Sequence, residues 1–243
     1  MASVVLTGHS RGFGAALARR LLADGHQVLG VSRQPARDIV PSTGGSLTEC
    51  QVDLSQRDQV AALCQGDTFS SFFQDKQAVL INNAGIITPI GPADVIDDHE
   101  LLTSVMVNLT AAMMLSNAFL RITRECVDRR VLHISSGAGR SAYAGWSAYC
   151  AGKAGLDHYT RAVALEAHPG LRVESLAPGI MDTDMQALIR SVPADMFPMK
   201  PRFDQLKASG GLADPEETAA AIAKHLFSDN FGKEPCTDRR QIG

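Results

Sequence analysis

The sequence predicts an α/β fold, a doubly wound parallel sheet flanked by helices, and three observations carry that prediction. Short apolar, β-branched runs alternate with longer helical patterns, as expected of a parallel sheet covered on both faces. A glycine-rich turn, Thr7-Gly8-His9-Ser10-Arg11-Gly12-Phe13-Gly14, joins the first such run to the first helical pattern. At 243 residues the chain has room for one large domain, 1–243, with a substantial core and no need of disulfides.

Taken in order, the strands fall at 3–6, 27–32, 47–51, 78–81, 130–134 and 172–175. The helical patterns between them span 13–23, 56–65, 100–127 and 147–167. A further helix at 217–227 starts from Asp214-Pro215, with the aspartate as N-cap and the proline in the first turn. One stretch, 178–214, breaks the rhythm and is rich in Pro, Met and Phe, among them Met185, Met196, Phe197 and Phe203. An irregular segment of that length in a compact fold is usually functional. Disordered segments carry few such apolar side chains, so a substrate-binding lid is expected.

A formal net charge of −3 and a pI near 6.1 argue against nucleic acid or a membrane surface as partner. The apolar runs are strand-sized, below the roughly 20 residues of a membrane span. The first strand follows Met1 almost at once, leaving no space for a signal peptide, and a cytoplasmic location is expected. The five cysteines are widely spaced without a C-x-x-C pair, which predicts reduced thiols. The seven histidines show no metal-binding spacing, and no metal is expected.

The glycine turn is built for a dinucleotide. Gly8 permits the tight turn, Gly12 the close approach of a pyrophosphate, and Gly14 close helix–strand packing. Free N–H groups at the helix N-terminus then meet the phosphates, and Ser10, Arg11 and Phe13 complete a Rossmann-type cofactor turn. The second strand ends Val31-Ser32-Arg33, without the carboxylate that reads an NAD ribose. Arg33 and Arg11 can converge on a 2′-phosphate instead, which predicts NADPH. Asp53 and Leu54, after the third strand, stand where adenine would lie; Asp53 serves equally well as a helix N-cap.

Tyr149 and Lys153 lie one helical turn apart on the same face. A neighbouring ammonium stabilises a phenolate, making Tyr149 a proton donor to a forming alkoxide. Asn82-Asn83-Ala84-Gly85 ends the fourth strand, Asn108 interrupts a long apolar helix, and Ser135-Ser136-Gly137 ends the fifth strand. In this order and spacing the motifs resemble the short-chain dehydrogenase/reductase family, from the first strand to Pro178-Gly179. The resemblance implies an NADPH-dependent oxidoreductase acting on a CH–OH/C=O pair. In it Tyr149 exchanges the proton and Ser136 orients the carbonyl. Lys153 holds the nicotinamide ribose and lowers the Tyr149 pKa, while Asn108 holds a water in a proton relay. Asn83, Ala84, Gly85, Pro178, Gly179 and Thr183 join the cofactor-binding set.

Within the family the chain resembles the sepiapterin reductases. The likeness runs through Gly145-Trp146 to Ala154 and Asp182-Thr183-Asp184-Met185-Gln186, and on into the expected lid. It implies reduction of keto groups on a pterin side chain, with Asp238 as the carboxylate anchoring the pterin edge and Arg239 able to pair with it. Trp146, Tyr143 and Met185 are candidate pocket walls for a flat substrate. A reductase of non-pterin diketones such as benzil is the alternative. A non-catalytic NADP-sensing protein is a second, against which the intact Ser136, Tyr149, Lys153 and Asn108 set argues. Small and apolar residues on the helices at 100–127 and 147–167 predict a homodimer, since relatives pack this helix pair against its symmetry mate.

Overall fold

In a computed structural model, which describes residues 1–41, 44–73 and 77–242, seven parallel strands form one sheet in the order β3-β2-β1-β4-β5-β6-β7. They are β1 Ser3–Thr7, β2 Gln27–Ser32, β3 Ser46–Gln51, β4 Gln77–Asn82, β5 Asp128–Ile134, β6 Leu171–Ala177 and β7 Cys236–Asp238. The helices are α1 Gly12–Ala23, α2 Arg57–Gln65, α3 Asp67–Ser70, α4 Asp98–Val105, α5 Ala111–Ile122, α6 Ser147–Leu165, α7 Asp184–Ser191, α8 Lys200–Ala208 and α9 Pro215–Leu226.

β1 is buried along its whole length, which is why it reads as a continuous apolar run rather than an alternating one. Val4 and Leu6 pack with Leu17 and Leu21 of α1 and Ile222 of α9. Val5 points the other way, with Leu80 of β4 and Leu115 and Phe119 of α5. Strand order reverses at β1, between β2 and β4, opening the crevice where such sheets bind ligands.

The boundaries depart from expectation in instructive places. The helix expected at 100–127 begins earlier, because the Asp97 carboxylate caps the His99 and Glu100 N–H groups. A five-residue π turn, Met106–Thr110, then interrupts it, and it ends at Ile122, well before Val127. The composite helix Asp98–Ile122 runs 25 residues and contains an 18-residue window of mean hydropathy 1.4, long and apolar enough by composition to cross a membrane. The estimate from uninterrupted apolar runs missed this; its Ala111, Leu115, Ala118 and Phe119 are buried against the sheet. α6 stops two residues short of Ala167, whose φ of 51° is left-handed. α9 starts as expected, with Asp214 accepting from Glu216 and Glu217 N–H. All five cysteines are free thiols.

The segment 178–214 is not irregular. It folds into α7 and α8, and Phe197 and Phe203 are buried with Trp146 and Tyr149. Its Pro and Met content hid two short helices whose apolar faces close on the end of α6 rather than on the sheet.

Candidate active site

The glycine turn shows why each glycine is required. A side chain on Gly14 would start 1.9 Å from the Gly8 carbonyl oxygen, so only glycine lets α1 approach the turn. Gly12 has a left-handed φ of 54°, and a Cβ there would meet nothing nearer than the Thr183 methyl at 3.8 Å. Gly179, with φ 90°, also faces open space. The α1 N-terminus has no side-chain cap, leaving its first N–H groups for an anion. A pyrophosphate fits this cradle of open glycines and uncapped amides.

The next layer is stapled to the turn. Thr7 Oγ1 accepts from Asn83 N and Ala84 N, both at 3.0 Å. Asn83 Nδ2 donates to the Thr7 carbonyl at 2.9 Å, so Asn83 holds the cofactor turn in shape. Arg11 is exposed and lies 3.8 Å from Asp184 of α7, while Arg33 is exposed at the end of β2. Asp53 is not a helix cap: it accepts from Ser55 N and Oγ and lies four residues before α2 begins. Leu54 beside it is buried.

Across the crevice stand the residues of the motif. Tyr149 is only 7% exposed. Burial pushes its phenol above the ordinary value, outweighing the hydrogen bond with Ser136 that lowers it. Ser136 ends the loop after β5 and accepts from Ala138 N at 3.2 Å, which fixes its rotamer. Lys153, one turn after Tyr149, donates from Nζ to the Ile134 carbonyl at 2.8 Å. Burial pushes its pKa down to about 8, against the pull of Asp157. The expected lowering of the phenol by Lys153 is therefore overridden in the folded chain, because burial acts on both groups.

Asn108 sits in the π turn, where a widened helix accommodates a polar side chain. Its amide grips Ile86 at both ends, Nδ2 donating to Ile86 O at 2.8 Å and Oδ1 accepting from Ile86 N at 2.9 Å, and Nδ2 also donates to Ser104 Oγ at 3.2 Å. It clamps the loop after Gly85, where a Cβ would lie 3.5 Å from Lys153 Nζ.

The proposed pocket walls divide. Trp146 is spent mostly on the 178–214 segment: it stacks on Phe197 at 4.5 Å between centroids and meets Phe203 and Tyr149 at 5.4 and 5.6 Å. Met185 packs against the same cluster. Tyr143 lines a cleft of about 500 Å³ with Gly137, Arg140, Asp238 and Arg240. Asp238 does face that cleft, but its carboxylate is held by Arg240 at 2.7 and 2.9 Å, and it caps Arg240 N. The sequence suggested Arg239 as its partner; the short turn after β7 brings Arg240 round instead. Two residues escaped the sequence reading. Asp157 is buried a further turn along the Tyr149–Lys153 stripe, bonded to Ser175 and Arg140, and Arg140 reaches on to the Thr237 carbonyl. The signal for Asp157 was the continued four-residue spacing; Arg140, in the loop before α6, had none.

Comparison with known proteins agrees with this geometry. The short chain dehydrogenase family model matches residues 2–193. The chain is 35% identical over 240 residues to a benzil reductase ((S)-benzoin forming) of Bacillus cereus, covering 95% of this chain and 96% of that protein. It is 32% identical over 242 residues to sepiapterin reductase of Mus musculus, covering 93% and 92%. Among solved structures it is similar to a metagenomic short-chain oxidoreductase in complex with NADP, with TM-score 0.73, 28% identity, and coverage of 98% and 95%. An uncapped glycine cradle, a buried tyrosine and lysine one turn apart, and matches along nearly the whole chain lead to one conclusion: the chain belongs to the short-chain dehydrogenase family and is an oxidoreductase acting on a CH–OH/C=O pair.

Proposed function

We propose that the chain is an NADPH-dependent carbonyl reductase that reduces one keto group of a vicinal dicarbonyl, with Tyr149 as the proton donor. The observation that carries this reading is the buried Tyr149, its phenol raised by burial and pulled back by Ser136, one turn from a Lys153 fixed on the Ile134 carbonyl. NADPH is supported by the exposed Arg11 and Arg33, by a β2 end without a carboxylate, and by the NADP-bound relative.

When bound, the nicotinamide supplies hydride to the carbonyl carbon. The chain does the rest. Ser136 and Tyr149 donate to the carbonyl oxygen, where negative charge grows in the transition state. Tyr149 passes its proton to that oxygen, and Lys153 stabilises the phenolate left behind. Asn108 holds the loop at Gly85 beside Lys153, and the aromatic lid excludes water from the transfer.

A neutral diketone of the benzil type is the substrate class the site supports best, because the Asp238 carboxylate is satisfied inside the chain. A pterin side chain is the second reading, favoured by the position of Asp238 on the same cleft as Tyr143 and Gly137. NADPH oxidation followed in parallel with benzil and with sepiapterin decides between them. Turnover of neither, with the cofactor bound, would overturn the reductase reading and restore the NADP-sensing alternative. We also propose a homodimer formed through α4, α5 and α6, where Leu102 and Leu165 are 68% and 86% exposed; light scattering showing a monomer at micromolar concentration would refute it.

A further inference from the structure

His9 stands inside the cofactor turn yet belongs to none of the roles assigned above. Its ring is 1% exposed. It lies flat against β2: a Cβ on Gly30 would fall 2.5 Å from the ring carbons. Gly30 in the middle of a buried strand is therefore explained by His9, and the two residues fit only together. His9 Nε2 lies 2.6 Å from Glu49 Oε1 on β3. The same carboxylate oxygen accepts from Ala36 N at 2.7 Å, in the loop that follows β2 and carries Arg33. Burial pushes the Glu49 carboxyl up, but the Ala36 N–H and His9 together overcome this and hold it below the usual carboxylate range. Glu49 is thus an anion lodged between the glycine turn and the loop after β2. This is the region where the topology of such sheets places the adenosine ribose. An uncompensated carboxylate there would repel a 2′-phosphate and favour a ribose hydroxyl.

We infer that His9 is a cofactor-specificity residue that works by position: it occupies the Glu49 carboxylate and so admits a 2′-phosphate beside an anion that would otherwise reject it. This rests on the NADPH reading above. His9 is a positioning residue, acting through Glu49, and Gly30 is the space that lets it do so.

The test is calorimetric titration of NADP⁺ and NAD⁺ into the purified protein and its variants, which needs no turnover. The wild type is expected to bind NADP⁺ more tightly. His9→Ala is expected to weaken NADP⁺ at least about tenfold and NAD⁺ by less than about threefold, lowering the preference. The double variant His9→Ala with Glu49→Gln is expected to recover the preference, because the charge is gone. Equal weakening of both cofactors, or no recovery in the double variant, would overturn the inference and leave His9 a packing residue. Should His9→Ala fail to fold, Glu49→Gln alone still decides. It keeps an acceptor for Ala36 N and is expected to bind NADP⁺ at least as tightly as the wild type, whereas loss of NADP⁺ binding would overturn the inference. A wild type that prefers NAD⁺ contradicts the NADPH reading itself, and is seen before any variant is made.

Discussion

The Lys153 ammonium hangs from the Ile134 carbonyl, 2.8 Å away, at the C-terminal end of β5. The cation beside Tyr149 is therefore placed by the sheet and not only by its own helix. Its pKa of about 8 means that the charge is present below that pH and lost above it. The kcat/KM for carbonyl reduction is expected to fall as pH rises through about 8. Stability moves oppositely for this group. Its folded pKa lies below the unfolded value of 10.5, so the penalty for burying the charge is present below about 8 and relieved as pH rises between the two. Activity that fell only in step with melting temperature would contradict this assignment.

Tyr149→Phe keeps the ring that packs on Trp146 and removes only the hydroxyl. The kcat is expected to drop by about 10²–10⁴ with NADP⁺ affinity nearly unchanged. Full activity in this variant, measured by NADPH oxidation, would remove Tyr149 from the mechanism.

His133 is wholly buried between Asn82 and Tyr159, and burial, with Lys153 nearby, pushes its pKa down to about 3. It is neutral in the folded chain at pH values where the unfolded chain protonates it. Stability present above about 6.5 is then lost as pH falls from there toward about 3. Melting temperatures across this range should show the acid decline, and His133→Gln should flatten it.

Trp146 is the chain's single tryptophan and stacks on Phe197 of the segment proposed as a lid. Phe197→Ala is expected to shift Trp146 emission to longer wavelength and raise KM more than it lowers kcat. Unchanged emission would show that the packing of the 178–214 segment does not depend on this stack.

Arg240→Ala frees the Asp238 carboxylate at the cleft. The KM for sepiapterin should fall several-fold while that for benzil stays level, and Asp238→Asn should leave benzil turnover intact. If the two variants change both substrates alike, Asp238 has only its capping role.

Periodicity made the sheet and the main helices legible, because β1, β2 and β4 are buried, largely apolar runs and Tyr149, Lys153 and Asp157 repeat every turn. β7 was not, since Cys236, Thr237 and Asp238 have no apolar alternation and exist as a strand only through pairing with β6. α7 has a short apolar stripe, Met185, Leu188 and Ile189, but at eight residues it was lost in a Pro- and Met-rich stretch, and α8 has almost no apolar periodicity, its Phe203 answering to Trp146 far off in sequence. The motif residues of the site could be named in advance, but their partners could not. That Asn108 grips Ile86, that Arg240 rather than Arg239 holds Asp238, and that His9 meets Glu49 are long-range or turn-dependent facts.

Arg140 ties the loop after Ser136 to β7 through the Thr237 carbonyl, and to α6 through Asp157. During synthesis the glycine turn emerges first and the β7 segment more than two hundred residues later. A nascent chain can thus shelter its nucleotide cradle early but cannot lock the serine loop against the tyrosine helix until β7 has left the ribosome.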